Sequence, residues 1–379
     1  MQKPNYTNEK IKREFFSFLK DSEGFSEESI DSFEKSILFW EEFSEGADLS
    51  KFNKEQAVRF KNWLVARKKK NGSTTISLSY CYDTLRHLRR FFEWLSRHPD
   101  HKSEIDSNIL GYLSLSKKES RIATHNRQHV VPTLEEVKKV LESIEGKTEV
   151  ARRDRALISL VLLTGARITA ISSLPMKCFD HDRAIISQDP KLGVKTKFSK
   201  QITTALFEID YANPRAYFLD WYDYLANERH FSPDNPIFPA TKREQGSQNV
   251  NFYSTEKIEP LFWKNSSPAR KVFEKRFKQA GVPYYHPHSL RHLIVKELIR
   301  MPLTEEEKKA ISQNLGHENV ETTFGTYGYG QINEDRQVDL IRSISFRNPK
   351  TQTALANLSP EVIKELALQL KTAMDESPK

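Results

Sequence analysis

Only two cysteines, Cys81 and Cys178, occur among 379 residues, and they stand in no metal-binding or redox spacing. That scarcity excludes a disulfide scaffold and a thiolate metal centre, and it fits a reducing cytosol. Long apolar runs are missing as well. The longest lies around Leu157 to Leu163, far short of the roughly 20 residues that span a bilayer. The first residues, MQKPNYTNEK, lack the apolar core of a signal peptide, so a cytoplasmic location is expected. There is no internal repeat and no long low-complexity tract. No cluster of carboxylates suggests a Mg²⁺ site.

What the chain does have is charge. Charged residues make up 29% and hydrophobic residues 37%, the balance of a soluble protein with a sizeable core. Its length makes two domains the natural expectation. The formal net charge of +8 is unevenly spread, with −6 over residues 1–49 and +14 over the remainder. Such a body either meets a polyanion or carries a basic but inert surface, and charge alone does not choose.

The first third reads as helices. Ile11, Phe15, Phe18 and Leu19, then Ile30, Phe33, Ile37 and Phe43, fall at helical spacing, and Ser26 is a plausible helix start. A helix over about 74–97 places Leu78, Cys81, Leu85, Leu88, Phe92 and Leu95 on one apolar stripe. Tyr82, Arg86 and Arg89 fall on another face, beside the basic run of Lys68, Lys69 and Lys70. That face either lies against phosphates or is solvated, and the basic run favours phosphates. The following SKKESRIATHNRQHVVP, with Arg121 and Arg127, shows no helical period and reads as a basic linker over 117–131.

PTLEEVKKVLESI then opens a second domain, with Thr133 and Glu136 spaced as a capping box. A nearly all-apolar helix ends at Thr164-Gly165 and a second one stops before Pro175. RAIISQDP and ITTALFEID read as strands around the lysine-rich turn KLGVKTKFSK, and the rest is mostly helical. The expected fold is mainly α with a small antiparallel β-sheet.

Arg167 follows the glycine turn, where it makes either a structural salt bridge or an anion contact. Lys195 sits in the turn between strands, and Lys191, Lys197 and Lys200 compete for any role given to it. HPHSLRH sets His288 and Arg291 at i and i+3 on one helix face. His286, His288 and His292 hint at zinc, but no Cys or carboxylate stands at ligand spacing and the arginine opposes a cation, so no metal is expected. His317 follows Leu315-Gly316, the glycine ending a helix and allowing close approach. Alone, it reads as a helix-end or core histidine. Together the cations and donors suit a phosphoryl transition state, with arginines on the non-bridging oxygens and a lysine or histidine protonating the leaving alkoxide. A tyrosine beside such cations gains phenolate character and becomes a nucleophile.

These segments resemble the tyrosine recombinase (phage integrase) family. LLTGARITAISSL looks like its first arginine motif, HSLRH like its His-x-x-Arg box, and LGHENVETTFGTY like its closing segment. KTKFSKQITTAL resembles its β-hairpin lysine turn. The resemblance covers residues 8–115, as a helical core-binding domain, and 132–345, as an α+β catalytic domain. It implies domains at 1–116 and 132–345, joined by the linker and followed by a tail at 346–379. It further implies that Arg167 and Arg291 grip the scissile phosphate, that His288 and His317 assist, that Lys195 is the general acid, and that Tyr327 is the nucleophile. Tyr329 is then a bystander.

The implied activity is cofactor-free, metal-independent, site-specific DNA recombination through a 3′-phosphotyrosyl intermediate, integrating or excising a mobile element. The implied partners are double-stranded DNA and a homo-tetramer on two duplexes, in the nucleoid, without membrane or small-molecule substrate. A helix at 359–374 is expected to pack in trans on a neighbouring protomer or in cis. Two departures stand out: Ala170 replaces the family's acidic residue, and the resemblance begins at the core-binding helices, so no separate arm-binding domain is expected. The rival readings are a catalytically silent DNA-binding protein on the same fold and a type IB topoisomerase.

Overall fold

The computed structural model describes residues 5–67, 76–99, 105–124, 130–245 and 252–329. The chain divides into two compact units, Met1–Asn126 and Arg127–Lys379.

The first unit is helical. Its elements are α1 (Tyr6–Ser17, continuing through a wider turn at Phe18–Ser22), α2 (Glu27–Ser44), α3 (Lys54–Ala66) and α4 (Leu78–Arg97). Side-chain oxygens start them: Ser26 accepts from the Ser29 N–H, Ser77 from the Tyr80 N–H, and Asn53 and Gln56 form a reciprocal capping box. The stripe of α4 is buried as its spacing predicts, with Cys81, Leu85, Leu88, Phe92 and Leu95 at most 1% exposed. Rings dominate the core they enter. Trp40 lies 5.0 Å from both Phe60 and Phe92, and Phe52 stacks on Phe92 at 4.1 Å, spacings at which aromatic pairs add to plain area burial.

One expectation fails here. Lys117–Thr124 is not structureless but forms a helix, α5. Its apolar positions are few, and its start is set instead by a capping box. The Ser116 N–H donates to Glu119 Oε2 at 3.0 Å, and the Glu119 N–H donates to Ser116 Oγ at 3.2 Å. That S-x-x-E signal sits inside the basic stretch and was outweighed by its lack of period.

The second unit opens with α6 (Leu134–Glu142), whose Thr133–Glu136 capping box forms as predicted. Its centre is α7 (Glu149–Thr164), buried at every position from Ala156 to Thr164. Around α7 pack α9 (Pro214–Asp223), α10 (Ser267–Gln279) and α11 (His288–Leu298). The short α8 (Ile168–Ile171) leads into an antiparallel sheet of β1 (Phe179–Asp180), β2 (Ile185–Gln188) and β3 (Ile202–Ala205). Register pairs Ile186 with Thr204 and Gln188 with Ile202. Next come α12 (Glu305–Asn314) and a π-helical segment at Thr322–Tyr329.

A second hairpin, β4 (Ala240–Gln245) with β5 (Phe252–Glu259), has no counterpart in the sequence expectations. Its strands, ATKREQ and FYSTEKIE, are charged or polar at most positions, so no apolar alternation marks them. The architecture is mainly α with small antiparallel sheets, as expected. Among the described residues no helix is long and apolar enough to cross a membrane. Lys68, Lys69, Lys70, Arg127 and the expected helix at 359–374 lie outside the described residues.

Candidate active site

The C-terminal end of α7, the first turns of α11 and the turn after α12 converge on one place. Gly165 closes α7 with φ 58°, and its N–H donates to the Val161 carbonyl at 2.9 Å. A side chain there would be strained twice, since an added Cβ would stand 2.8 Å from Leu315 Cδ2. The close approach lets Arg291, only 1% exposed, donate from Nη1 to the Gly165 carbonyl at 2.9 Å and from Nη2 to the Leu315 carbonyl at 2.6 Å. These are helix-end carbonyls, which carry partial negative charge and suit a cation. Arg167 follows two residues after Gly165 as the N-cap residue of α8, half-buried and with no carboxylate partner among the described residues. Ala170, at the position where an acidic residue was expected, is buried and supplies no counter-charge.

Two histidines complete the cluster. His317 is 7% exposed, with Nε2 2.5 Å from Arg291 Nη2 and Nδ1 2.9 Å from Thr323 Oγ1. Burial pushes its pKa down to about 3, helped by the charges of Arg291, Arg167, His288 and Lys197. His288 is likewise pushed down to about 3, first by burial and then by His292, Arg291, Arg167 and His286. Both imidazoles are therefore neutral at pH 7. His286 Nδ1 accepts the His288 N–H at 3.3 Å, and His292 stands edge-on to His288 with ring centroids 5.3 Å apart. Among the described residues no three metal-ligating side chains converge.

Arg167, His288, Arg291 and His317 are thus brought together, each arginine within electrostatic reach of both histidines. The hairpin lysines are less cleanly sorted. Lys195 has an exposed side chain, and its backbone N–H donates to Ser173 Oγ at 2.8 Å. Lys197 is the lysine whose charge acts on His317, and Lys200 is ion-paired with Glu318. Tyr327 belongs to the Thr322–Tyr329 segment that follows His317, and its side chain lies outside the described residues, as does that of Tyr329. Arg86, Arg89 and Arg121 are exposed in the first unit, Arg86 paired with Asp83, while Tyr82 packs partly against the core.

Sequence reasoning passed over Asn314. Its Oδ1 accepts the Ala205 N–H at 2.7 Å and its Nδ2 donates to the Ala205 carbonyl at 3.1 Å, extending β3 by one pseudo-residue. This fastens the end of α12 to the sheet and sets the register of the Leu315-Gly316-His317 turn. Gly316 sits so close to the sheet that an added Cβ would lie 2.5 Å from Ile202 Cδ1. Thr323 was also passed over. The Thr-Thr pair before Phe324 was the available signal, and small hydroxyls give little reason to be singled out.

Residues 131–330 match the family model described as "Phage integrase family". The match covers more than half of the chain, which therefore belongs to that family, the tyrosine recombinases, whose members carry out site-specific DNA recombination. Among its relatives, a protein named tyrosine recombinase XerC from Lactobacillus delbrueckii subsp. bulgaricus is 21% identical, covering 83% of this chain and 92% of the relative. Another of that name, from Staphylococcus aureus, is 24% identical over 87% of this chain and 95% of its own. Among solved structures, a lambda integrase dimer bound to a COC′ core site superposes with a TM-score of 0.58 at 15% identity. It spans 89% of this chain and 99% of that one. The Tn1549 transposon integrase in complex with transposon right end DNA gives 0.56 at 14% identity, over 88% and 99%. At these identities the structural likeness concerns the fold.

Proposed function

We propose that the protein is a site-specific DNA recombinase that cuts and rejoins strands through a 3′-phosphotyrosyl intermediate. The observation that carries this reading is the cluster itself: two arginines and two neutral histidines around a place with no carboxylate among the described residues. A phosphodiester, monoanionic at rest and dianionic in its pentacoordinate transition state, suits such a place, its non-bridging oxygens meeting Arg167 and Arg291. The arriving negative charge offsets the arginines and raises the basicity of His288 and His317. A neutral imidazole can then take the phenol proton as Tyr327 Oη attacks phosphorus. The Tyr–O–P bond forms, the P–O5′ bond breaks, and Lys195 supplies the proton to the departing 5′ oxygen. Attack by a 5′-hydroxyl on the phosphotyrosine reverses every transfer and restores the tyrosine, so no external energy source is needed. Lys197, which acts electrostatically on His317, is the competing general acid.

In this reading the first unit is the core-binding domain, gripping duplex DNA through the exposed Arg86, Arg89 and Arg121 of α4 and α5. Four protomers act on two duplexes in the cytoplasm, without cofactor, to move a mobile element. The DNA-bound lambda and Tn1549 integrases support the assignment of partner, and the XerC relatives the assignment of reaction. The test uses a nicked suicide duplex built on the sequence that the protein selects from a random DNA pool. Wild type and Tyr329→Phe are expected to give a covalent protein–DNA band, whereas Tyr327→Phe binds equally but gives none. A dead Tyr329→Phe would move the nucleophile to Tyr329. Binding without any adduct in wild type favours a silent DNA-binding protein, and relaxation of plasmids lacking the site favours a topoisomerase.

A further inference from the structure

A line of hydrogen bonds runs from the second arginine of the site into the segment that carries Tyr327. Arg291 Nη2 lies 2.5 Å from His317 Nε2, and His317 Nδ1 lies 2.9 Å from Thr323 Oγ1. Thr323 Oγ1 lies 3.1 Å from Ser312 Oγ, which in turn is 3.2 Å from the Asn319 carbonyl oxygen and 3.4 Å from that of His317. Thr323 and Ser312 are fully buried, so water does not compete for these contacts.

The ends of the line dictate the direction of every proton in it. A guanidinium can only donate, so His317 Nε2 must accept and carries no proton. The neutral ring then holds its proton on Nδ1 and donates it to Thr323 Oγ1. The Thr323 hydroxyl donates to Ser312 Oγ, and the Ser312 hydroxyl donates to a carbonyl, which can only accept. Reversing any one link sets two donors or two lone pairs face to face. The hydroxyl pair is thus a tautomer lock, in the sense that the bond made by one ring nitrogen decides the state of the other.

We propose that Thr323, backed by Ser312, is a positioning residue for His317. It holds the imidazole as the Nδ1–H tautomer, so that the Nε2 lone pair faces Arg291 and the phosphate place, where it can receive a proton. Thr323 also lies four residues before Tyr327 in the same π-helical segment. The bond therefore joins the backbone segment that carries Tyr327 to His317. The catalytic consequence rests on the recombinase reading above, but the tautomer does not.

The experiment uses the full-length protein with ¹⁵N-labelled histidine, three variants and two readouts. Thr323→Val removes the hydroxyl at similar volume, Thr323→Ser keeps it, and Ser312→Ala removes its acceptor. Imidazole ¹⁵N–¹H correlation spectra are expected to show His317 protonated on Nδ1 in wild type and Thr323→Ser. In Thr323→Val the buried Nδ1–H is left without an acceptor, the ring turns out of line with Arg291, and that state gives way to a mixture. Single-turnover adduct formation on the suicide duplex is expected to fall about 10- to 100-fold in Thr323→Val, the range seen when an outer partner of a working histidine is lost. DNA affinity stays unchanged and Thr323→Ser recovers most of the rate. Ser312→Ala shows a smaller loss, since Thr323 then keeps only its bond to the ring. Retention of a pure Nδ1–H state together with the wild-type rate in Thr323→Val would overturn the proposal, as would an Nε2–H signal in wild type. A wild type that shows the expected tautomers but forms no adduct sinks the recombinase reading and leaves the lock in place.

Discussion

Helix α7 has a buried arginine cluster at each end, and the two are built on opposite principles. At its first turns Asp154, 1% exposed, accepts from Arg153 Nη2 at 2.8 Å on one oxygen and from Arg276 Nε at 2.9 Å on the other. Arg153 also donates to the Pro239 carbonyl at 2.9 Å and to Thr241 Oγ1 at 2.8 Å, and its guanidinium lies over the Trp263 ring. Here the carboxylate joins α7 to α10 and to the start of β4. At the far end Arg291 is held by carbonyls and Arg167 by no carboxylate among the described residues. One cluster is closed around a carboxylate that its two arginines share, and the other is open, with no carboxylate among the described residues. Closed ionic clusters hold elements together, whereas an open one costs stability and is retained where an anion must arrive.

The largest expected effect comes from opening the closed cluster. Asp154→Ala leaves Arg153 and Arg276 buried without their shared carboxylate, and breaking such a pair typically costs about 3–5 kcal/mol. Arg167→Gln removes a charge from the open cluster, orphans no carboxylate, and is expected to cost under about 1 kcal/mol while abolishing adduct formation. Urea denaturation of both variants, alongside the suicide-duplex assay, measures the contrast. Similar losses of stability in the two would mean that the clusters differ only in appearance.

The contrast also explains what was readable in advance. The open cluster lies in contiguous stretches, LLTGARITAISSL, HSLRH and LGHENVETTFGTY, because backbone turns and helix starts aim its side chains. Chemistry concentrated in short segments is visible in a sequence. Asp154 carries no such local signal, since its two partners stand one and 122 residues away. Only the fold shows that it is buried between them. The β4–β5 hairpin was unread for the related reason that its pairing, not its apolar pattern, makes it a strand pair. Helix α5 was unread because one capping box outweighed composition. By contrast, the apolar stripe of α4 and the Thr133 box carried their own explanation, and both formed as expected.

The histidines of the open cluster give the next effect, a dependence on pH. Their folded pKa values of about 3 lie below the unfolded value of about 6.5. Folding therefore favours the neutral rings, so their contribution is fully present above about pH 6.5. It is lost as the pH falls toward 3, at up to about 1.4 kcal/mol per pH unit for each ring. The urea midpoint of wild type is expected to drop between pH 7 and pH 4.5 by more than that of His317→Gln, which lacks one titrating ring. Equal drops would show that its surroundings do not hold the His317 ring neutral in the free protein. Duplex DNA, by supplying the missing anion, is expected to shrink the difference.

The smallest effect compares one glycine from each unit. Gly24 (φ 68°), in the helical first unit, and Gly316 (φ 72°), beside His317, both adopt a left-handed conformation, but their surroundings differ. A Cβ at Gly24 meets nothing within 4 Å, whereas one at Gly316 meets Ile202 Cδ1 at 2.5 Å. Gly24→Ala carries the backbone strain alone, about 1 kcal/mol. Gly316→Ala adds a displacement of Ile202 on β3, for a total of about 2 kcal/mol, and moves the His317 turn off the sheet. Ile202→Val removes the Cδ1 atom and is expected to recover part of both the stability and the adduct rate of Gly316→Ala. It has no such effect on Gly24→Ala. Recovery of stability without recovery of rate would separate the packing of this turn from the aim of His317, and would place the sensitivity of the site in the carbonyls that hold Arg291.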